Sequence, residues 1–418
     1  MAKMAASTPV TISTLFGDWR LLVILFVAFR LGMLLVYQPL LIEGSERGIT
    51  AGGDFLTYYH LGALSEDGLL PFRDWWSEFP PIPSWLNVIA YQLAGRASYT
   101  GFAVLYGVLM LACDVGNLTL LRKLGIRLHG AQTGMALAWI YALMLAPAVL
   151  QWWTFEPLVA FLLLLSLNWL LAEKNSLSAA AAGVGALVKF TPALILGAVF
   201  RFRVMGLALR YLGIVAAIFA SVYVVLMLQN GQMTMPSLTA QFSKSSYQTV
   251  WALIDGNYRT GNFGPVSERL DPSAASQLVG SPSVIPAWLR LGIAILLGLF
   301  VYVRTRRFDD RGLVAFVAIT LLIFFLQAQG WSPQWLAQLL PLLLLCFPTR
   351  DGIMALVILC LAVFAEYPFL WLRTGDTGGV ITGSLLMPYA ILVIARTVLL
   401  AGFGFGLYRK LRQIPATL

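Results

Sequence analysis

Apolar runs of about twenty residues recur along the chain from Leu21 to Phe405. Each is long enough to cross a hydrocarbon layer roughly 30 Å thick. With 59% of its 418 residues hydrophobic and only 11% charged, the chain is far more apolar than a soluble domain, where roughly a quarter of residues carry charge. The predicted fold is an all-α polytopic membrane protein, with residues 1–418 forming one transmembrane domain. The full spans read at about 20–42, 100–121, 131–150, 157–172, 207–229, 286–303, 312–327, 335–348, 352–371 and 380–403. The first reads as a retained anchor, because it lacks a short apolar core followed by a small-residue cleavage site.

The net charge of +9 does not point to a nucleic acid, because the basic residues fall in short clusters between apolar spans, where topology explains them. Arg122, Lys123 and Arg127, then Arg201, Arg203 and Arg210, then Arg304, Arg306, Arg307 and Arg311, then Arg409, Lys410 and Arg412 share one side. The positive-inside rule makes that side cytoplasmic and brings both termini there. Cys113, Cys346 and Cys360 lie in apolar stretches and offer no external disulfide framework. His60 and His129 are the only histidines, too few for a His-rich zinc or copper site, so any metal would have to be held by oxygen.

The segment 178–200 has Lys174 before it and Arg201 with Arg203 after it, so both its ends belong on the cytoplasmic side. A single crossing there would invert everything downstream. The segment therefore reads as a re-entrant helical hairpin that breaks around Lys189 and Pro192 and carries Lys189 deep into the membrane. There a lone ammonium either meets a lipid phosphate or snorkels to headgroups. Arg30 and Asp114, each inside a span, are expected to pair, since an unpaired buried charge is the costlier alternative.

Two long external segments remain, 43–100 and 230–285, with shorter ones around Trp152, Gly330 and Arg373. Loops of that length in a compact membrane protein are usually functional. In the first, Asp54 follows Gly52 and Gly53 and opens a helix to about Leu64, with Tyr58 one turn later on the same face. The helix dipole would favour the ionised carboxylate that a general base needs. Asp54 also reads as a simple N-cap, and Glu78 as a solvated loop acid. Pro80, Pro81 and Pro83 predict an extended corner before an interfacial helix, Ser84 to Leu93, with Trp85 and Tyr91 at headgroup depth. Trp75, Trp76 and Trp85 read more naturally as interfacial anchors than as sugar platforms. The second loop supplies Lys244, Asp255, Asn257, Tyr258, Arg259, Asn262 and Arg269 among glycines. Such a set can hold phosphate or hydroxyls, or can simply make turns.

The order Asp54, Tyr58, Ala63, Gly68, Pro71, Phe72, Asp74, Glu78, Pro80, Pro81 resembles the first-loop pattern of the superfamily C (GT-C) glycosyltransferases. Within these it is most similar to the bacterial polyprenyl-phosphomannose-dependent alpha-1,2-mannosyltransferases. Lys189 with Pro192 after an Ala- and Gly-rich helix, and Ser332-Pro333-Gln334-Trp335 opening a late helix, extend the resemblance. Phe79 and Phe72 stand where tyrosines are usual and Glu156 where an Asp is expected, so hydroxyl contacts from the first two do not carry over.

The resemblance implies a GT-C-like bundle in the plasma (inner) membrane that moves one sugar, mannose by preference, with inversion. The donor would be a polyprenyl-phosphate-linked sugar, the acceptor a hydroxyl of a lipid-linked molecule, and the chemistry extracytoplasmic. Asp54 would be the catalytic base. Tyr58, His60, Arg73, Glu78, Lys189, Arg259, Trp331 and Gln334 are the candidate substrate-binding residues. No metal ligand set and no definite cofactor are assigned, although a divalent cation on oxygen ligands stays open. A flippase or transporter of lipid-linked sugars would share the spans and the hairpin, and a glycan ligase or polymerase would differ in donor size. No internal inverted repeat is visible in the sequence, which weighs against a transporter.

Overall fold

The computed structural model describes residues 12–37, 53–95, 98–144, 154–261, 263–374 and 377–414. Gly52, Trp152, Asn262 and the ends of the first and third expected spans lie outside the described residues. Among the described residues every regular element is helical, apart from single bridges at Pro71–Trp75, Tyr247–Gly330 and Arg259–Val380. In chain order the principal helices are α1 (Ile12–Gly17), α2 (Trp19–Tyr37), α3 (Asp54–Ala63), α4 (Pro81–Leu93), α5 (Tyr99–His129), α6 (Ala131–Leu143), α7 (Glu156–Leu171), α8 (Asn175–Val188) and α9 (Ile195–Phe202). They continue with α10 (Met205–Thr234), α11 (Pro236–Ser243), α12 (Val250–Asp255), α13 (Ala287–Arg304), α14 (Asp310–Gln327), α15 (Leu336–Cys346), α16 (Arg350–Phe364) and α17 (Leu386–Arg412).

Six helical stretches among the described residues are long and apolar enough to cross a membrane: Tyr99–His129, Met205–Ser243, Ala287–Arg304, Asp310–Gln327, Arg350–Thr374 and Gly383–Arg412. The chain is a multi-pass membrane protein. Ten full spans are not confirmed among the described residues. α7 has 16 residues and α15 has 11, short of the roughly 20 that a crossing needs. α15 sits instead in the middle of the Leu-rich core, with all its residues buried. α5 runs on to His129, past the Arg122–Lys123 cluster where a stop was expected, and ends at Gly130 with φ 89°. Its close partner is α6: a Cβ on Gly125 would lie 2.9 Å from the Gly134 Cα, so glycine is what lets these helices touch. Arg30 and Asp114 do meet, 3.3 Å apart, with Tyr141 donating to Asp114 at 2.5 Å and Arg30 to the Ala142 carbonyl at 2.8 Å.

The basic clusters gather at one end of the bundle. Arg127 pairs with Asp310 at 2.7 Å, Arg311 donates to the Leu128 carbonyl, Arg201 to that of Thr305 and Arg412 to that of Arg304. The segment between Lys174 and Arg203 begins and ends there. Arg203 donates to the Leu170 carbonyl at the foot of α7, whereas Lys189 meets Glu156 at that helix's opposite end. The chain thus climbs α8, breaks at Lys189, turns through a 3₁₀ segment at Thr191–Leu194 and descends α9. Pro192 packs so tightly on Gly185 that a Cβ there would come within 2.6 Å of it. The climb carries Lys189 to the level of Glu156, at the end of the bundle away from the basic clusters.

That opposite end is roofed by both long loops. α3 lies across α4, where a Cβ on Gly62 would clash with the Asn87 carbonyl at 2.7 Å. Only Pro80 is extended; Pro81 and Pro83 sit in the first turn of α4, where a missing N–H costs nothing. Trp75 and Tyr91 are buried, and Tyr91 donates to Glu66 at 2.8 Å, so both rings pack within the protein. Trp76 is buried too. Its indole N–H reaches the Glu268 and Asp271 carbonyls, and the Arg269 guanidinium lies over its ring at 4.2 Å. These contacts fasten the first loop to the second, where Asp255 and Asn257 are spent on Ser246, Ser281 and Val284 as turn-formers.

Candidate active site

Asp54 is the first residue of α3, and the N-cap position belongs to Gly53, whose φ of 58° suits glycine. The carboxylate therefore does not cap the helix. It turns inward, only 5% exposed, and accepts from the Tyr58 hydroxyl and the Gln334 amide, each at 3.4 Å. Burial pushes its carboxyl up to about 7, against the opposing pull of the Tyr58 hydroxyl and of Lys189. Glu156 adds a smaller push upward, and Lys244 pulls the other way. The dipole argument for an ionised Asp54 is thus outweighed: removing a carboxylate from water costs more than a helix end returns. What results is an acid that gives and takes its proton near neutrality, where a general base works best.

Two ion pairs flank it. Glu156, the first residue of α7 and almost fully buried, pairs with Lys189 and accepts from the Gln338 amide. Thr191 in turn donates to the Gln338 carbonyl oxygen at 2.6 Å. Lys189 is not the lone ammonium expected from its sequence context, and it also stands over the Trp335 ring at 5.2 Å. Glu78 is not a solvated loop acid: it is buried and pairs with Lys244 from the second loop. Around them Tyr58, Phe79, Phe155 and Phe263 form a closed set of rings, with centroids 5.0 to 6.2 Å apart between neighbours. Such faces pack on sugar C–H bonds. The Gln334 Oε1 is buried with no hydrogen-bond partner, so an acceptor beside the carboxylate waits for a donor.

The structure brings Asp54, Tyr58, Glu78, Lys189 and Gln334 together and leaves the other candidates apart. His60 is exposed on the outer face of α3. Arg73 clasps its own turn, donating to Asp74 at 2.7 Å and to the Gly68 carbonyl at 2.6 Å. Trp331 is buried and donates to Glu366 at 3.0 Å. Arg259 donates to the Val279 carbonyl at 2.8 Å. Among the described residues no group of three or more His, Cys, Asp or Glu side chains could hold a metal ion. Two residues absent from the candidate set belong to it, Glu156 and Lys244. The signal for Glu156 was an acid followed by Pro157 opening an otherwise apolar helix.

No family model and no curated protein matches the chain. Solved structures do. ArnT from Cupriavidus metallidurans in the apo state matches at 14% identity, over 93% of this chain and 75% of that one, with a TM-score of 0.50. ArnT bound to undecaprenyl phosphate matches with the same identity and TM-score, over 94% of this chain and 75% of that one. The likeness is one of fold. An oligosaccharyltransferase from Archaeoglobus fulgidus in the apo form also matches, at 12% identity and a TM-score of 0.44, over 92% of this chain and 56% of that one.

Proposed function

We propose that this protein is a membrane glycosyltransferase that moves one sugar from a polyprenyl-phosphate-linked donor to a hydroxyl of a lipid-linked acceptor. The observation that carries the reading is the buried Asp54 carboxyl, poised near 7 and held by the Gln334 amide N–H, whose own oxygen is unpartnered, beneath a lid of two interlocked loops. A fold shared with ArnT, one of whose structures holds undecaprenyl phosphate, supports a donor of that class. The first-loop resemblance favours mannose.

In the proposed reaction the acceptor oxygen attacks the anomeric carbon while Asp54 takes its proton. The new C–O bond forms as the bond from that carbon to the phosphate oxygen breaks, on the opposite face, so the anomeric centre inverts. The leaving group is polyprenyl phosphate. Lys189 and Lys244 are the cations nearest the acid that could meet its growing charge, each by exchanging its present carboxylate partner for phosphate oxygen. No second catalytic acid is needed, because a phosphate leaves without being protonated by the enzyme. On this reading the lid faces the extracytoplasmic side, the basic end and both termini face the cytoplasm, and residues 1–418 work as one domain in the plasma membrane.

The test is direct. Purified protein is incubated with polyprenyl-phosphate mannose and a glycolipid acceptor, and released polyprenyl phosphate is measured with the mass of the product. A transferase liberates the carrier and lengthens the acceptor by one hexose. A transporter of lipid-linked sugars leaves both molecules intact, which would end the proposal.

A further inference from the structure

The basic end of the bundle, opposite Asp54, encloses a cavity of about 170 Å³. Its wall includes His129 at the end of α5, Arg307 just ahead of α14 and Arg311 in its first turn, Leu345 at the end of α15, Thr349 ahead of α16 and Lys410 near the end of α17. Folding therefore collects three permanent cations from two separate stretches of chain around one space. Their compensation is incomplete. Arg307 is held by Asp309 at 2.7 and 2.8 Å. Arg311 spends two N–H groups on the Leu128 carbonyl at 2.9 and 2.6 Å, which satisfies donors but cancels no charge. Lys410 has no carboxylate partner among the described residues and rests over the Phe347 ring at 5.1 Å.

A second feature opens on the same wall. The Thr349 hydroxyl caps the first turn of α16, accepting from the Gly352 amide at 3.3 Å. The N-terminal end of a 15-residue helix thus borders the cavity. Three cations of which only Arg307 is paired with a carboxylate repel one another, and an occupant bearing negative charge would relieve that cost. A tetrahedral oxyanion suits the donors, since guanidinium and ammonium groups bind phosphate oxygens through charged hydrogen bonds. Leu128, Val314 and Ala315 make the rest of the lining apolar. Basic pockets between membrane helices are a recurrent way of holding anionic lipid headgroups.

We propose that this cavity is a phosphate-binding site remote from the sugar-transfer centre, filled by the headgroup phosphate of an anionic phospholipid or by free phosphate. Two arms test it. In the first, the protein is released from nanodiscs of mixed phosphatidylglycerol and phosphatidylcholine and examined by native mass spectrometry. Wild type is expected to retain phosphatidylglycerol in preference. Lys410→Gln is expected to lower that retention about fivefold, the weight of one basic residue at an anionic surface, and Lys410→Arg to restore it. In the second, inorganic phosphate is titrated into delipidated protein while its melting temperature is followed. A saturable rise in wild type and Lys410→Arg, absent in Lys410→Gln, identifies free phosphate as an occupant. Should wild type show neither a preference for phosphatidylglycerol nor a response to phosphate, the site is refuted without reference to any variant. A Lys410→Gln protein that binds both like wild type refutes it equally.

Discussion

Replacing Asp54 with Asn is expected to make the protein more stable while removing its activity, and the stability gain has a pH signature. In the native protein the carboxyl ionises at about 7, against 3.8 for an ordinary Asp. Between those values the folded state holds a proton that the unfolded chain has already released. Stability therefore falls as pH rises through the window from about 4 to about 7, and stays depressed above it. The full shift corresponds to an upper bound of about 4 kcal/mol, because each unit is worth about 1.4 kcal/mol. Asn keeps the shape and never ionises. Thermal unfolding in one detergent, followed by tryptophan fluorescence at pH 4.5, 6 and 8, is the assay. The advantage of Asp54→Asn over wild type should be small at pH 4.5, grow at pH 6 and be greatest at pH 8. An advantage of the same size at every pH, or none at pH 8, would refute the claim that burial governs this acid.

The rate of transfer should rise with pH through an apparent value near 7. Glu156→Gln should move that limb to lower pH and Lys189→Met to higher pH, since Glu156 raises the Asp54 value and Lys189 lowers it; shifts in the same direction would contradict the assignment. Gly330→Ala should cost about 1 to 3 kcal/mol through collision with the Tyr247 ring. It should also slow transfer, because the Trp331 amide that donates to the Tyr247 carbonyl lies three residues from Gln334; adding Tyr247→Ala should recover much of the stability in a melting assay. Arg30→Met should destabilise by roughly 3 to 5 kcal/mol by leaving Asp114 buried without its cation. The double variant Arg30→Met/Asp114→Leu should melt closer to wild type, and a double variant as unstable as the single one would count against the ion pair.

Much of the architecture could be read from local patterns. The Asp54–Tyr58 face follows from helical spacing, and the break at Lys189 from Pro192 and from basic residues on both flanks, features that lie within a few turns of one another. The charge partners could not be read that way. Glu156 and Lys189 are 33 residues apart, Glu78 and Lys244 166, and Asp54 and Gln334 280. Such pairings come from how helices are stacked, which hydropathy along one chain does not specify. Trp75, Trp76 and Tyr91 read in the sequence as interfacial rings and are buried within the protein for a related reason. An aromatic residue in a membrane protein's loop suits either an interface or a small loop core, and here the second loop folds back to supply the core. Apolar character and length diverge in α15, which has 11 residues and is apolar because protein surrounds it.

The account's central claim is that the Asp54 carboxylate accepts the proton of the acceptor hydroxyl. A single-turnover assay of Asp54→Asn, scored by polyprenyl phosphate released from saturating polyprenyl-phosphate mannose, tests it most directly. The expected result is a fall of roughly two to four decades in rate, with donor affinity within about threefold of wild type. Transfer at the wild-type rate by that variant would contradict it.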